Sequence, residues 1–196
     1  MACGANYAWA NRQILMHRTR EIFEKALRMS PREVNMRLVY DVCHNIAKIE
    51  SFNIGGVMKK LCVHRKGATR AFPAGHDVVP TRYRSVGQPV LIPGDMGTGS
   101  YVLVGQEKAM TETFGSACHG AGRVMSRTQA IKASRGRSIA RELADNGVLV
   151  MAGSKGTLSE EMPEAYKNVQ DVVEVMHNAG IAKKVARLKS LSCIKG

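Results

Sequence analysis

The pattern of apolar and polar positions predicts several helices of different length. Residues 6–29 carry apolar side chains near helical spacing among Arg and Glu, which indicates an amphipathic helix. A second helix begins at Ser30-Pro31-Arg32-Glu33, where a capping box is combined with proline at the first helical position. Two more helices are predicted, one over 138–145 that ends at Asn146-Gly147 and one from Asn168 to Gly180.

Strands are predicted where apolar and β-branched residues lie between turn residues. The segment Asn53–Val63 contains Gly55-Gly56 and predicts a β-hairpin. Pro89–Ile92 and Tyr101–Val104 are two further strand candidates, and the glycine-rich segment Pro93–Ser100 separates them. Each candidate is only a few residues long, so the sheets that they form are expected to be small.

Other segments carry weaker patterns. Residues 66–88 contain three Gly, two Pro and four Lys or Arg without a usable period, so an irregular loop is expected. Short strands are predicted at 148–151 and 186–189, and 38–42 fits either a buried strand or a continued helix. This irregular mixture predicts an α+β fold with short mixed or antiparallel sheets and flanking helices. No repeat or long linker divides residues 1–196, which indicates a single unit.

Composition excludes several classes of protein. With 44% hydrophobic and 23% charged residues the chain is not disordered, and no apolar run approaches the ~20 residues of a membrane span. The first residues lack the basic region and apolar core of a secretory signal, so no membrane partner is expected. The five cysteines are widely spaced and form no C-x-x-C pair, which argues against a zinc ribbon or a thioredoxin motif. Free thiols predict a cytoplasmic location.

The net charge of +13 suggests a polyanionic partner. Between residues 61 and 140 there are eleven Lys or Arg against four Asp or Glu. Such a field attracts nucleic acid and makes binding sensitive to salt. A solvated basic surface explains the same charge, so the charge alone does not show whether the partner is a nucleic acid.

The segment Phe114–Arg123 is the densest candidate for chemistry. His119 can act as base, ligand or nucleophile, and the glycines that follow it allow close backbone approach by an anion. Arg123, and Arg127 one helical turn later, can fork onto phosphate oxygens. A structural turn with a hydrogen-bonded histidine is the alternative. An esterase is unsupported because G-x-S-x-G is absent, and Cys118 is a poor partner for the adjacent His119 because neighbours in an extended segment point in opposite directions.

Two further segments are weaker candidates. The amides and hydroxyls of Ile92–Ser100 can surround a phosphate or nucleotide, although the segment is not a Walker A loop, and a plain connecting loop is the alternative. Gly153–Thr157 only imitates such a loop and is interpreted as a turn. In Asp41–Asn45, alternation sets His44 apart from its neighbours, so His44 is expected to be one metal ligand rather than part of a complete local site, with a structural histidine as the alternative. The basic loop His64–Arg70 faces either solvent or a sugar-phosphate backbone.

Taken together, these segments resemble the RtcB-type tRNA-splicing RNA ligases, and the resemblance runs from the first residues to the last. The matching segments, in order, are Asn6–Arg12, His44–Ala47, His64–Arg70, Pro93–Ser100, Cys118–Arg123, Pro163–Tyr166 and Ile194–Gly196. His-Gly-Ala-Gly-Arg together with the terminal Ile-Lys-Gly is highly specific. The resemblance implies an RtcB-like fold that is incomplete relative to the family, with 1–196 as the C-terminal portion of the catalytic domain.

The resemblance also implies a reaction. The family joins an RNA end with a 2′,3′-cyclic phosphate or 3′-phosphate to an RNA 5′-hydroxyl, in tRNA splicing or RNA repair, using GTP and Mn²⁺. A histidine takes GMP from GTP, passes it to the RNA 3′-phosphate, and the 5′-hydroxyl then displaces GMP. The position of that nucleophile matches His119.

The same comparison implies roles for other residues. His44 matches a metal ligand that also lies at the nucleotide. Lys66 and Arg123 match positions that meet RNA phosphate. The positions implied to bind the nucleotide are His44, Asn45, Pro93, Gly94, Asp95, Met96, Ser100, Gly120, Ala121, Gly122, Tyr166 and Lys195.

The chain departs from the family in length. Family members are more than twice as long, and their Asp-Val-Gly-Cys-Gly, Gly-Asn-His-Phe and His-Ser-Gly-Ser-Arg segments, which supply most metal ligands, have no counterpart here. We therefore expect weak Mn²⁺ binding by this chain, an exposed half-interface, and an upstream fragment as a possible partner. The first residue is interpreted as an internal start, a split gene product or a truncated frame. The alternative function is a catalytically incompetent basic remnant that binds RNA or GMP.

Overall fold

Helices and strands follow one another along the part of the chain that the structure, a computed structural model, describes: residues 1–151 and 155–189. The helices are α1 (Ala2–Leu27), α2 (Pro31–Val34), α3 (Glu107–Glu112), α4 (Arg127–Ala133), α5 (Ile139–Asp145), α6 (Lys155–Glu160) and α7 (Val169–Asn178). The strands are β1 (Asn45–Ile54), β2 (Val57–Lys66), β3 (Ala68–Arg70), β4 (Pro89–Ile92), β5 (Ser100–Gly105), β6 (Ser116–Cys118) and β7 (Ala182–Leu188). Short 3-10 turns cover Thr81–Tyr83 and Pro163–Ala165.

Local sequence signals account for many of these elements. α1 confirms the helix predicted over 6–29, and α5 and α7 confirm the two later helices. The capping box of α2 is present: the Ser30 hydroxyl accepts from the Glu33 amide, and the Glu33 carboxylate accepts from the Ser30 amide. The predicted hairpin turns at Gly55 and Gly56, whose φ angles of 60° and 86° favour glycine.

The strands form three small antiparallel sheets, which confirms the predicted α+β class. The β1–β2 hairpin pairs in register from Asn45 opposite Lys66 to Ile54 opposite Val57. β3 pairs with β6, and β4, β5 and β7 form the third sheet in that order. Because no sheet among the described residues has more than three strands, each is stabilised by packing against neighbouring elements rather than by its own size.

Four predicted elements differ in the structure. Residues 148–151 form no strand, and Leu149 is 87% exposed there. Residues 66–88 are not a uniform loop, since they contain β3 and a 3-10 turn, and strands of three residues are too short to show a period. Lys155–Thr157 lie in α6 rather than in the turn predicted over Gly153–Thr157, and residues 153 and 154 of that segment lie outside the described part.

The fourth difference concerns residues 38–42, which form neither a strand nor a helix. Long-range side-chain hydrogen bonds hold this segment instead. The Tyr83 hydroxyl donates to the Val39 carbonyl at 2.5 Å, and Gln88 Nε2 donates to the Tyr40 hydroxyl at 3.0 Å. Backbone groups satisfied in this way need no strand partner.

Three apolar clusters form the interior. The largest joins β4, β5 and α7 and includes Ile92, Leu103 and Val173. A second lies between α4 and α5, and a third places Phe52 of the hairpin against Phe72. Burying one such side chain stabilises the fold by about 1.5–3 kcal/mol. The first and third clusters hold the strands from which the candidate site is built.

None of the 26 residues of α1 is buried, although it is the longest described helix. Tyr7 is 81% exposed and Trp9 is 59% exposed. Within the described ranges, no helix combines the length and the apolar character that a membrane span requires.

Candidate active site

The open end of the β1–β2 hairpin lies beside the end of β6. The Gly67 amide donates to the His44 carbonyl at 2.9 Å, and Ala68 of β3 then pairs with Cys118 of β6. This connection brings His44 and His119 together. Their imidazole rings stack with centroids 4.3 Å apart and planes inclined by 8°.

The surroundings of His119 favour its neutral form. Partial burial lowers the pKa of His119 below the ordinary value of 6.5, and the charge of His44 lowers this pKa further. Gly67 has φ of 70°, and a Cβ added there would lie 3.8 Å from Nε2 of His119. Glycine at position 67 therefore leaves this edge of the ring uncovered. A neutral ring nitrogen is the form that can attack phosphorus.

The buried side chain of Arg65 pairs with Glu50 inside the hairpin and hydrogen-bonds the hairpin to β6 and to the chain just before it. The guanidinium of Arg65 donates to Glu50 Oε2 at 2.7 Å, to Ser116 Oγ at 2.8 Å and to the Phe114 carbonyl at 2.8 Å. The Arg65 and Glu50 side chains are only 1% and 8% exposed. Because Arg65 is one strand residue from Lys66 and Ser116 begins β6, these bonds hold His44 and His119 at their separation.

The prediction that His64–Arg70 is a basic loop facing solvent or a sugar-phosphate backbone is wrong for Arg65, because residues 64–66 belong to β2, residues 68–70 form β3, and the Arg65 side chain is buried against Glu50. Glu50 had no predicted role. The alternation of side chains along β2 could have predicted that Arg65 is buried, because Arg65 falls on the same face as Leu61 and Val63. A charged side chain on the apolar face of a strand requires a buried partner. The strand register places Glu50 opposite Leu61 on that face.

The glycine-rich segment Pro93–Ser100 connects the two ends of the site. At its beginning, the Ala121 amide donates to the Pro93 carbonyl at 3.3 Å, two residues beyond His119. At its middle, a Cβ added to Gly97 would lie 3.3 Å from Cγ of Pro163, three residues before Tyr166. The segment therefore runs from the histidine pair towards Tyr166.

Asp95 and Gly94 shape this loop. The Asp95 carboxylate accepts from the Gly97 amide at 2.7 Å and from the Thr98 hydroxyl at 3.0 Å, so its acceptors are used inside the loop. A Cβ added to Gly94 would lie 2.4 Å from the Gly99 carbonyl oxygen, which leaves no room for a side chain. The predicted contact between Asp95 and the nucleotide stays a prediction. The backbone of the loop is the group that an anion can approach.

Arg123 and Tyr166 lie in direct contact. Arg123 Nη1 donates to the Tyr166 hydroxyl at 3.0 Å, and the guanidinium lies 4.9 Å from the centre of the Tyr166 ring. Arg123 Nη2 also donates to the Glu160 carbonyl at 2.6 Å, and the Tyr166 hydroxyl donates to Glu161. The structure thus brings together a residue predicted to meet RNA phosphate and one predicted to lie at guanine. Both predicted roles remain predictions.

The remaining predicted residues occupy several places. Asn45 and Lys66 face each other at the open end of the hairpin, and Met96 packs with Tyr166 against the second apolar cluster. Ser100 begins β5 opposite Leu188. Around His119, a Cβ added to Gly120 would lie in ordinary contact with Pro93, 3.7 Å from its carbonyl oxygen, and Gly122 has φ of 76° with no described neighbour within 4 Å of an added Cβ. Lys195 lies outside the described residues.

The described residues do not assemble a metal site. No group of three His, Cys, Asp or Glu side chains capable of holding a metal occurs within 1–151 and 155–189. Asp41 and Cys43 face Arg12, whose Nε lies 2.7 Å from Asp41 Oδ1 and whose Nη2 lies 3.8 Å from Cys43 Sγ. Asp41 and Cys43 therefore do not serve as co-ligands for a metal at His44. Burial raises the pKa of the Cys118 thiol, which keeps it protonated and argues against a cysteine nucleophile.

Comparisons with known proteins relate the whole chain to one family. A family described as "tRNA-splicing ligase RtcB" matches residues 1–196. The tRNA-splicing ligase RtcB of Archaeoglobus fulgidus is 59% identical over 196 residues, and that of Methanococcus maripaludis is 53% identical. The RtcB of Methanocaldococcus jannaschii is 55% identical over the same length. All three matches cover 100% of this chain but only 41%, 41% and 20% of the respective relatives. The chain belongs to the RtcB family of tRNA-splicing ligases.

Proposed function

We propose that residues 1–196 are the guanylate-carrying, C-terminal portion of a GTP-dependent RNA ligase. The reaction joins RNA ends that carry a 2′,3′-cyclic phosphate or 3′-phosphate to 5′-hydroxyl ends, in tRNA splicing or RNA repair. Membership of the RtcB family supports the ligase class. The observation that carries the proposal is the stacked pair of His44 and His119 beside the Pro93–Ser100 loop.

The first proposed step is attack by a neutral nitrogen of His119 on the α-phosphorus of GTP. A P–N bond forms, the P–O bond to the β-phosphate breaks, and pyrophosphate leaves. The lowered pKa of His119 supports this role because the ring needs no deprotonation near neutral pH. Stacking on His44 fixes the ring plane, which reduces the orientational cost of an in-line attack.

In the second step an oxygen of the RNA 3′-phosphate attacks the guanylate phosphorus, and the P–N bond breaks to restore His119. In the third step the 5′-hydroxyl oxygen attacks the RNA phosphorus, forms the new phosphodiester and displaces GMP. Splitting one exchange into such displacements lowers the barrier of each. Lys66 at the open end of the hairpin, and Arg123, are proposed to hold RNA phosphate.

GTP fits the described residues. A Cβ added to Gly122 would meet no described atom within 4 Å, and one added to Gly120 would lie 3.7 Å from the Pro93 carbonyl oxygen, so the backbone after His119 leaves room for the approach of a nucleotide phosphate. Tyr166 and Lys195 are proposed to lie at the guanine end. Loop contacts on both sides, to Ala121 and against Pro163, support a site that extends from His119 towards Tyr166.

Mn²⁺ does not fit the described residues by themselves. His44 is the proposed metal ligand, but the described part offers no second and third ligand beside it. A divalent site needs several converging donors, so the remaining ligands would come from outside this chain. The chemistry above is accordingly derived from His119 and its neighbours alone.

The decisive experiment measures covalent guanylylation. The chain is mixed with α-labelled GTP and Mn²⁺, with and without the complementary portion of a relative. Labelling that needs the complement, is released by acid and disappears in His119→Ala supports the proposal. His17→Ala is the matched control because His17 is an exposed histidine on α1. Equal labelling of the His119→Ala variant refutes the nucleophile.

A second candidate is a non-catalytic remnant that binds RNA or GMP. The lack of a converging metal-ligand group in the described part favours it. It predicts salt-sensitive RNA binding that His119→Ala leaves unchanged, and no covalent GMP with any complement. A cytoplasmic location is proposed for either function, because Cys3, Cys43, Cys62 and Cys118 are unpaired thiols.

A further inference from the structure

The β1–β2 hairpin has two chemically different faces. Its inner face buries Phe52, Glu50 and Arg65. The side chains on the opposite side form the outer face, which is exposed at every position except Ala47. The outer-face residues are Asn45, Ala47, Ile49, Ser51, Asn53, Met58, Lys60, Cys62, His64 and Lys66.

The charge of the outer face is entirely basic. Lys60, His64 and Lys66 are its ionisable groups apart from the Cys62 thiol, and it carries no carboxylate. The acidic residue of the hairpin, Glu50, lies on the inner face against Arg65. Among the ion pairs of the described residues, none involves Lys60 or Lys66. Cations left without counter-charges attract an external anion.

The basic side chains form a row along one strand. Alternate residues of a strand are about 6.7 Å apart, so Lys60 and Lys66 are separated by about 20 Å. A nucleic acid strand carries one charge about every 3.4 Å, so it presents several phosphates over this length. His64 stands between the two lysines with an exposed aromatic ring, and aromatic rings stack on unpaired bases.

The row leads to the histidine pair. Lys66 lies opposite Asn45 at the open end of the hairpin, and the next residue, Gly67, donates to the His44 carbonyl and leaves an edge of His119 uncovered. An RNA strand lying along the outer face therefore ends beside His119.

We propose that the outer face of the hairpin binds the phosphate backbone of a single RNA strand and directs its end to His119. Lys60 and His64 are the new contacts, because a phosphate contact of Lys66 is already part of the proposed function. This inference rests on that function for the identity of the strand, while its binding surface is tested separately.

Salt dependence of RNA binding tests the role of Lys60. The probe is a short fluorescein-labelled single-stranded RNA with a 3′-phosphate, and fluorescence anisotropy gives its affinity for the full chain over a range of salt concentrations. Lys60→Ala is expected to reduce the slope of log K against log salt by about 0.7, the value for one single-strand phosphate contact. A fourfold rise in salt then weakens binding of the variant roughly 2.6-fold less than binding of the parent.

Lys59→Ala is the matched control. Lys59 is the neighbour of Lys60, is also exposed and has the same charge, but its side chain belongs to the inner face. Its slope is expected to equal that of the parent. Equal slopes for both variants, whether reduced or unchanged, overturn the proposal, because RNA binding then does not distinguish the two faces.

Cysteine footprinting provides a second measurement. Cys62 is an exposed thiol on the outer face between Lys60 and His64, and Cys3 is an exposed thiol on α1. The RNA is expected to slow alkylation of Cys62, read by peptide mass spectrometry, and to leave Cys3 unaffected. Equal protection of both thiols, or protection of neither, overturns the proposal.

The two proposals fail in different ways. Both RNA-binding measurements are repeated with His119→Ala, which removes the nucleophile and leaves the outer face intact. If His119 carries no guanylate, labelling fails but the difference between Lys60→Ala and Lys59→Ala persists. If the outer face does not bind RNA, that difference is absent while guanylylation of His119 persists.

Discussion

Replacing Arg65 tests whether its buried side chain stabilises the hairpin and holds it against β6, where His44 lies beside His119. Arg65→Met removes the charge, keeps much of the volume and leaves the Glu50 carboxylate buried without its closest partner, which lay at 2.7 Å. Removing one partner of a buried pair costs about 3–5 kcal/mol. Arg70 Nη1 remains 3.6 Å from Glu50 Oε1 and offsets part of the loss. We therefore expect a loss near the lower end, about 3 kcal/mol.

Urea denaturation, extrapolated linearly to water, measures this loss of unfolding free energy. The double variant Arg65→Met with Glu50→Leu is expected to recover most of it, because replacing both buried charges by apolar groups is close to neutral. In the single variant the hairpin also loses its bonds to Ser116 and Phe114. The NMR signals of the His44 and His119 rings should then shift towards those of unstacked imidazoles.

An exposed arginine is the control. Arg137 also binds two carboxylates, of Glu142 and Glu164, but its side chain is 34% exposed and theirs are 44% and 49% exposed. Exposed pairs are screened by solvent and contribute little, so Arg137→Met should lose much less unfolding free energy than Arg65→Met. Equal losses for the two arginine variants, or a loss below about 1 kcal/mol for Arg65→Met, would refute the reasoning from burial.

Three other predictions concern the site and its surroundings. Because burial and His44 lower the pKa of His119, its ring should still be mostly neutral at pH 6.5. The midpoint of its NMR titration should lie below 6.5 and rise in His44→Ala, and an unchanged midpoint in that variant would contradict the coupling. Gly94→Ala should lose about 1–3 kcal/mol of unfolding free energy in urea, since its Cβ would lie 2.4 Å from a carbonyl oxygen. In the control Gly120→Ala the added Cβ would lie 3.7 Å from its nearest atom, so the unfolding free energy should change little. Equal losses in the two variants would argue against a tightly packed loop at Gly94. Trp9 is 59% exposed, and acrylamide should quench its fluorescence less when the complementary portion of a relative is added. Unchanged quenching would show that the complementary portion does not cover this face of α1.

Much of the local structure follows from short sequence signals. The capping box at Ser30 and the adjacent Gly55 and Gly56 specify a helix start and a turn through contacts among neighbouring residues. Long periodic segments such as α1 are read in the same way. β3 and β6, of three residues each, were not predicted because such strands are defined by their pairing with each other.

The residues of the candidate site can be identified from the sequence, but their arrangement in space cannot. His119, His44 and the Pro93–Ser100 loop are identified by residue type and by resemblance to the family. Their mutual placement is not, because it depends on the buried bonds of Arg65 and on the turn at Gly67. The guanylate and RNA roles of these residues remain predictions for the experiments described above.

By itself, the amino-acid sequence determined the residue types available for chemistry, the strongly periodic helices and the hairpin, because these depend on interactions between residues a few positions apart. Only the tertiary structure decided that His44 stacks on His119, that Arg65 turns inward to Glu50 and that Lys60 and Lys66 share an exposed face with no acid. The physical reason is that burial and long-range pairing select one partner among many of equal chemistry, and that selection depends on the packing of the whole chain.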